Sequence, residues 1–348
     1  MLKNFVSKFL VKLNEYENIA IFVHIDPDFD AYASAFGLRK WLQDNFPNKN
    51  VRLMIPQGIL REEEKFLFDY DKPLPSEKEL KTALGILLDT PNTERVLTQQ
   101  HIHCKELVII DHHPKIKGFA QLEFIDPTYP AVSQILAEIF FYLEPDYVFN
   151  SELAQYLYAG IITDTNNFMS LAVLPSTYQA LSKLVSKGLN RSAIHNFIFV
   201  KNYKFKLFIS DVVRRAKLTN NGLVFAVVDK KLINKYFIKD FPHTVPFLEN
   251  ILNVEVWTTL TYDLNSRLWR ASIRSKEIII NHIAKLYGGG GHKNAAATQF
   301  KRKSTYYKLL VTLDEYLVNA GYGGVTRTDF KFCLKFAFFK FFRFYKKL

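Results

Sequence analysis

An α/β fold class, with a largely parallel sheet in the N-terminal part and a smaller α/β domain after it, follows from three observations. Short apolar runs at 19–23, 51–55, 84–88 and 107–110 alternate with helical patterns at 31–45, 62–70 and 92–99, the order of a parallel sheet with crossover helices. Three of those runs end on residues with metal-binding chemistry: His24, Asp89, and Asp111-His112-His113. Open α/β sheets bind ligands at the carboxyl ends of their strands. Charge also divides by halves. Residues 1–190 carry 18 Lys and Arg against 24 Asp and Glu, and residues 191–329 carry 22 against 10. An acidic half joined to a basic one points to separate duties, cations held in the first and a polyanion gripped by the second.

At 348 residues and 48% hydrophobic composition, the chain has material for two cores and is not a disordered polymer. Its two cysteines, Cys104 and Cys333, are far apart, which argues against a disulfide framework and for a reducing cytoplasm. Residues 1–16 alternate Lys with apolar positions at helical spacing, without the continuous apolar stretch and cleavage site of a signal peptide. No run reaches the roughly eighteen apolar residues of a membrane span. No Walker loop, dinucleotide fingerprint or Gly-x-Ser-x-Gly elbow is present.

The order of elements continues with helical stretches at 133–143 and 152–162, the second running into Asp164, and a helix at 176–187 closed by Gly188. A basic, Phe-rich helical stretch at 191–218 reads as a connector. Strands follow at 222–228, 254–262 and 268–273, then a helix at 276–287 and a glycine run, Gly288-Gly289-Gly290-Gly291, leading into His292 and Lys293. Four glycines in a row suit a backbone that must approach an anion closely, and Arg270, Arg274 and Ser275 lie on the preceding strand. A strand at 295–300 and a helix at 305–318 complete the second domain. Boundaries are expected at 1–190, 191–220, 221–325 and 326–348. Residues 330–348 alternate aromatic and basic residues; this pattern fits contact with an anionic membrane surface or RNA, or docking of a terminal helix.

The densest chemistry is His24-Ile25-Asp26-Pro27-Asp28-Phe29-Asp30. Three carboxylates and an imidazole in one turn repel unless a cation neutralises them; the bland reading is an acidic turn with Asp30 as the N-cap of the helix. The ligands at the other strand ends favour the metal reading. Mixed His and carboxylate donors suit Mn²⁺ before Zn²⁺, Co²⁺ or Mg²⁺, and the donors are too many for one ion. Two ions about 3.5–4 Å apart would use them in hydrolysis of a phosphoester. Asp26 is left to shape the turn, and Ser34 reads as a structural hydroxyl. His101-Ile102-His103-Cys104 reads as a loop before a strand.

The set His24-x-x-x-Asp28-x-Asp30, Asp89-Thr90, Asp111-His112-His113 and Gly160-Ile161-x-x-Asp164-Thr165 resembles the four motifs of the DHH phosphoesterases. The glycine run with His292-Lys293, together with Arg274-Ser275-Lys276, resembles the DHH-associated C-terminal domain. Length and domain pairing are most similar to the NrnA-type oligoribonucleases (nanoRNases) that also dephosphorylate 3′-phosphoadenosine 5′-phosphate (pAp), mycoplasma ones included. The resemblance implies an active site in the cleft between two domains. His24 and Asp28 would hold a first Mn²⁺, and Asp30, His112 and Asp164 a second, with Asp89 bridging. His113 would contact the scissile phosphate, and Arg274, Ser275, Gly289, Gly290, Gly291 and His292 would seat the rest of the substrate. Two positions depart from the family, Phe29 and Asn166 standing where it usually has glycine. Asn tolerates left-handed backbone, whereas Phe29 would be strained by about 1–2 kcal/mol if its φ were positive, or else its ring shapes substrate entry.

These readings make short RNA or a nucleotide the expected substrate. Hydrolysis of cyclic dinucleotides or of pApA is the alternative within the same chemistry, and a non-catalytic nucleic-acid- or surface-binding protein the alternative of another class. A homodimer is compatible with the sequence.

Overall fold

A computed structural model describes residues 1–60, 64–65, 67–90, 92–114, 118–170, 172–239 and 241–322. The aromatic and basic tail at 330–348, and Cys333 with it, lies outside the described residues. Residues Met1–Val200 form one compact unit and the residues from Lys201 onward a second. The 191–220 stretch contributes one helix to each.

The first unit runs α1 (Leu2–Glu15), β1 (Asn18–Phe22), α2 (Phe29–Asn45), β2 (Asn50–Leu53), α3 (Glu77–Leu80), β3 (Ala83–Leu88), β4 (Glu106–Asp111), β5 (Leu122–Ile125), α4 (Val132–Leu143), α5 (Ser151–Asp164), α6 (Pro175–Ser186) and α7 (Arg191–Phe199). All five strands are parallel, in the order β2-β1-β3-β4-β5. Strand residues alternate between two cores. Ile19, Ile21, Leu84, Ile86, Val108 and Ile110 face the core shared with α2, α4 and α5, while Ala20, Phe22, Leu87 and Ile109 face a thinner core with Leu80 and Val96. A parallel sheet covered on both faces needs continuous apolar strands, which is why these runs read as unbroken in the sequence. Helix α1 buries Phe5, Val6, Phe9 and Leu13 at helical spacing, with the Phe5 ring 5.3 Å from that of Phe124. In α2 nearly every residue from Asp30 to Leu38 is buried, so the helix is central rather than amphipathic. Trp41 stacks on Phe140 at 4.7 Å.

The second unit runs α8 (Tyr203–Arg214), β6 (Lys217–Leu218), β7 (Leu223–Val228), α9 (Lys230–Lys235), β8 (Val256–Tyr262), β9 (Trp269–Ser275), α10 (Asn281–Leu286), β10 (Gly290–His292), β11 (Ala295–Phe300) and α11 (Lys303–Asn319). Its sheet is mixed, in the order β10-β11-β9-β8-β7-β6, with β7 and β8 parallel. One face packs Phe225, Leu260 and Ile273 with α10 and α11; the other packs Val224, Ala226 and Trp257 with α8 and α9.

Three helical expectations are corrected. In 62–70, the described residues from 67 on are turn and coil. The 92–99 pattern forms only a 3₁₀ turn, Thr93–Arg95, because Val23 and Ile25 pull its backbone into pairing (Leu97 N to Val23 O, 2.8 Å; Ile25 N to Arg95 O, 2.7 Å). The 276–287 helix shrinks to α10, since Glu255 Oε1 accepts from the backbone N–H groups of Glu277 and Ile278 and holds them in a turn. His101–Cys104 lies in the 3₁₀ turn before β4, and its residues join no metal-binding group among the described residues.

Phe29 does not take a positive φ, so the condition for strain there is not met. Phe29 opens α2 as an ordinary helical residue, and its ring packs against Phe68 (5.8 Å) and Phe197 (6.1 Å). Phe29→Gly is therefore expected to lose about 2–4 kcal/mol of stability through lost packing, measured by urea denaturation; a gain in stability would restore the strained reading.

Candidate metal centre

Strand order sets the place. In a 2-1-3-4-5 sheet the direction of winding reverses between β1 and β3, and the crevice at their carboxyl ends is the natural binding site. His24 leaves β1 and Asp89 leaves β3, and His24 Nε2 lies 3.5 Å from Asp89 Oδ2. One strand further, β4 delivers His112 and His113, with His112 Nε2 3.3 Å and His113 Nδ1 3.4 Å from Asp89 Oδ1.

The helices supply the remaining carboxylates. Asp28, not Asp30, is the N-cap of α2: Oδ1 accepts from Ala31 N at 3.0 Å while Oδ2 sits 3.8 Å from His24 Nε2. The cap is thus a residue that also stands beside His24. Asp30, 1% exposed, crosses to another helix. Its two oxygens accept from Val132 N (2.7 Å) and Ser133 N (3.0 Å), satisfying the open N-terminus of α4, whose own N-cap Ala131 has no capping side chain. Asp164 ends α5, with Oδ2 3.5 Å from His112 Nε2. The chain turns there through three left-handed residues, Asn166, Asn167 and Phe168 (φ 47°, 53° and 72°). The buried Thr165 hydroxyl ties that turn, donating to Ile161 O (2.6 Å) and accepting from Phe168 N (3.2 Å).

Ring orientation is fixed from behind. His24 Nδ1 donates to Ile25 O at 2.8 Å and His112 Nδ1 to Tyr129 O at 3.2 Å, which turns both Nε2 atoms toward the carboxylates. His113 Nδ1 donates to Asp111 Oδ1 at 2.9 Å. Asp111, buried, also accepts from the backbone N–H groups of His112 and His113. It positions both histidines rather than joining the donor groups, a role the sequence reading did not assign.

Three donor groups result, each with atoms within 4.8 Å of one another: His24, Asp28 and Asp89; Asp30, His112 and Asp164; Asp89, His112 and His113. Asp89 is common to two of them. It is 2% exposed and in the left-handed region (φ 54°), a conformation costing about 1–3 kcal/mol for a non-glycine residue. Its Oδ1 is buried and accepts no hydrogen bond of normal geometry. A carboxylate oxygen left in that state is what a divalent cation satisfies, so the donor set fits metal ions.

Electrostatics agree. Burial opposes charge on His24, but contacts with Asp28 and Asp89 outweigh it and raise its pKa to about 10. His112 is likewise raised to about 10, against burial, by Asp89 with Asp164 and Asp30. Burial, then the charge of Asp89, raises Asp30 to about 7, and burial with the charge of Asp30 raises Asp164. Asp89 is held well below the usual carboxylate range: burial pushes the other way, and His112 and His24 overcome it.

Gly160, on α5, explains how three helices converge here. A Cβ at this position would lie 2.1 Å from Ser133 Oγ and 2.6 Å from Asp30 Oδ1. Glycine inside a helix is unfavourable relative to alanine, and that unexplained cost was the sequence signal for a close approach.

In the second unit the glycine run divides by role. Gly288 takes φ 74° at the C-terminus of α10. A Cβ on Gly289 would come within 2.1 Å of Ala297 O, and one on Gly291 within 2.3 Å of Ala295 O. Those glycines admit β11. Only Gly290 of the four has neither a positive φ nor a neighbour within 4 Å of an added Cβ. Backbone register sets His292 opposite Ala295, and Ala295 opposite Arg274. Arg274 is half-buried, its guanidinium donates to Ile273 O (2.9 Å), and it makes no ion pair among the described residues; burial lowers its pKa. The Ser275 hydroxyl donates to Ile278 O (2.6 Å) and accepts from Asn294 Nδ2 (3.1 Å). Asn294 also donates to the Lys276 and Ile278 carbonyls, so Ser275 and Asn294 together hold the 276–278 turn.

Residues 18–161 match the DHH family, N-terminal domain, and residues 223–319 the DHHA1 domain. The chain is 38% identical over 90% of its length to a Mycoplasma pneumoniae protein named Uncharacterized protein MG371 homolog, covering 96% of that relative. It is 29% identical to the Probable bifunctional oligoribonuclease and PAP phosphatase NrnA of Streptococcus mutans, over 82% of this chain and 91% of the other. An exopolyphosphatase-related protein of Bacteroides fragilis has the same fold, with TM-score 0.81 at 20% identity over 90% of this chain and 98% of that one.

The raised pKa values of His24 and His112 favour their protonated rings at neutral pH when no metal is bound, and binding through Nε2 would remove those protons. Mn²⁺ titration calorimetry in buffers of different ionisation enthalpy is expected to show net proton release, from the two rings and from the raised carboxyls Asp30 and Asp164; heat independent of the buffer would exclude both rings as ligands. Gly160→Ala, through its clash with Asp30, is expected to weaken that Mn²⁺ binding by about tenfold or more.

Proposed function

This chain belongs to the DHH family of phosphoesterases, carries the DHHA1 companion domain and is a phosphoric ester hydrolase; on that premise we propose that it shortens very small RNAs and removes the 3′-phosphate of pAp, using two Mn²⁺ ions. The carrying observation is the doubly shared Asp89, with its unsatisfied buried oxygen, between a His24–Asp28 pair and a His112 ring facing Asp164. The likeness to bifunctional oligoribonuclease and PAP phosphatase relatives over nearly their whole length supports the choice of substrates.

In this reading His24, Asp28 and Asp89 hold one ion, and Asp89, Asp30, His112 and Asp164 the other. When bound, such a pair activates the attacking water and stabilises charge on the phosphoryl oxygens. The chain's own residues do the rest. Asp111 fixes the His113 ring, which contacts the scissile phosphate; water adds to phosphorus as the P–O bond to the leaving ribose oxygen breaks, and that oxygen takes up a proton. The Ile25 and Tyr129 carbonyls hold the ligand rings in one tautomer. Thr165 and the left-handed turn after it hold Asp164 at the mouth of the crevice. Arg274 and the open backbone at Gly290 take the substrate's other phosphate, with Gly291 and His292 continuing the strand that carries it, Gly289 leading into that strand and Ser275 stiffening the turn beside it.

The test is a Mn²⁺ turnover panel of pAp, short RNA, short DNA, pApA and cyclic dinucleotides. Activity on pAp and short RNA is expected; intact pAp and RNA would refute the reading, and preference for pApA or a cyclic dinucleotide would replace it. Asp89→Ala and His112→Ala are each expected to lower turnover about 1,000-fold or more, and unchanged rates would refute the site assignment. Gly290→Ala has room in the fold, so it is expected to raise KM several-fold at unchanged melting temperature; an unaltered KM would remove Gly290 from the substrate site.

A further inference from the structure

Away from the strand end that carries Arg274, the α8–α9 face of the second unit joins two features that its folding does not explain. The first is Phe237. It follows α9 at the left-handed position of the closing turn (φ 55°), where Phe237 N donates to Asn234 O and Ile238 N to Ile233 O, both at 3.2 Å. Glycine is the usual occupant of such a position, and a bulky side chain there is a genuine outlier. The other left-handed positions among the described residues of this unit hold Gly, Asn or Arg. The Phe237 side chain gains no core packing in return, being 78% exposed. Strain without a packing return points to contact with something outside the chain.

The second feature is charge. Lys204 Nζ lies 5.7 Å over the Phe237 ring, and the residue before it, the first of α8, is Tyr203, 77% exposed. Residues 201–239 hold ten Lys and Arg, all exposed, against two Asp. Both acids are engaged: Asp211 accepts from Lys235 (2.7 Å), Arg214 (2.6 Å) and Tyr236 (2.7 Å), and Asp229 caps α9. Lys201, Lys204, Lys206, Lys230 and Lys231 have no carboxylate partner among the described residues.

We infer that this face is a docking platform for single-stranded RNA, with Phe237 and Tyr203 stacking on bases and the surrounding lysines following the phosphates. Isolated rings set among lysines are the pattern of sequence-tolerant single-strand binding. An anionic membrane is the less suitable occupant: α8 turns Phe208, Ile209 and Val212 into the protein core, and the aliphatic side chains it leaves exposed, Leu207 and Val213, are only 39% and 43% accessible. The platform goes beyond the hydrolytic reading, because it holds strand that the metal centre is not cleaving.

Fluorescence anisotropy of a labelled oligoadenylate of about twelve nucleotides, on the full chain with EDTA to block turnover, tests the assignment. Phe237→Gly is expected to weaken binding roughly five- to tenfold while the melting temperature holds or rises, since glycine suits that backbone. Lys204→Gln is expected to flatten the salt dependence. Unchanged affinity in the Phe237→Gly, Tyr203→Ala double variant overturns the platform. So does a loss confined to phosphatidylglycerol vesicles with RNA binding intact. Turnover of pAp by Phe237→Gly is expected to stay at the native rate; a native chain inactive on pAp would refute the hydrolytic reading and leave the binding comparison standing.

Discussion

Asp28, Asp30, Asp89 and Asp164 cannot all be ionised in one crevice without compensating positive charge, and that constraint organises the first unit. The metal-free protein meets it with protons. Imidazolium at His24 and His112 keeps Asp89 ionised, while burial and neighbouring charge hold Asp30 and Asp164 closer to neutrality. Divalent cations meet the same need with more charge and fixed direction. The surrounding structure is consistent with that state: carbonyls of Ile25 and Tyr129 orient the His24 and His112 rings, Asp111 orients His113, and Asp89 keeps an uncommitted oxygen in a strained backbone.

Asp30 links this chemistry to the fold. A residue of α2 caps α4, and α5 passes close enough to both that only glycine fits at 160. Helix packing and the donor set therefore share atoms. A packing error at this junction displaces a carboxylate, and loss of the carboxylate uncaps α4.

The second unit separates two uses of glycine that look identical in sequence. Gly288, Gly289 and Gly291 answer to their own backbone and to β11, leaving Gly290 as the one without an internal reason. Its basic residues separate as well. Arg274 is a half-buried guanidinium beside the β10–β11 pair, whereas the lysines of α8 and α9 stand exposed, Lys204 over the Phe237 ring.

The sequence by itself determined the parallel sheet, the strand ends that carry His24, Asp89, His112 and His113, and the family, because period, burial and ligand chemistry are local properties that survive in one dimension. Asn166 was legible too, since Asn is one of the few side chains that accepts left-handed backbone. Tertiary structure alone decided where strain resides. It falls on Asp89, Phe168, Phe237 and Arg267 among others, while Phe29, the position that looked suspect, starts a helix and packs its ring against Phe68 and Phe197. Likewise, that Asp28 rather than Asp30 caps α2, that Asp30 caps α4, and that Gly160 makes room for it depend on segments about a hundred residues apart meeting in space. Spacing along a chain records which side chains can act together on one element; only packing records which backbone another element will need.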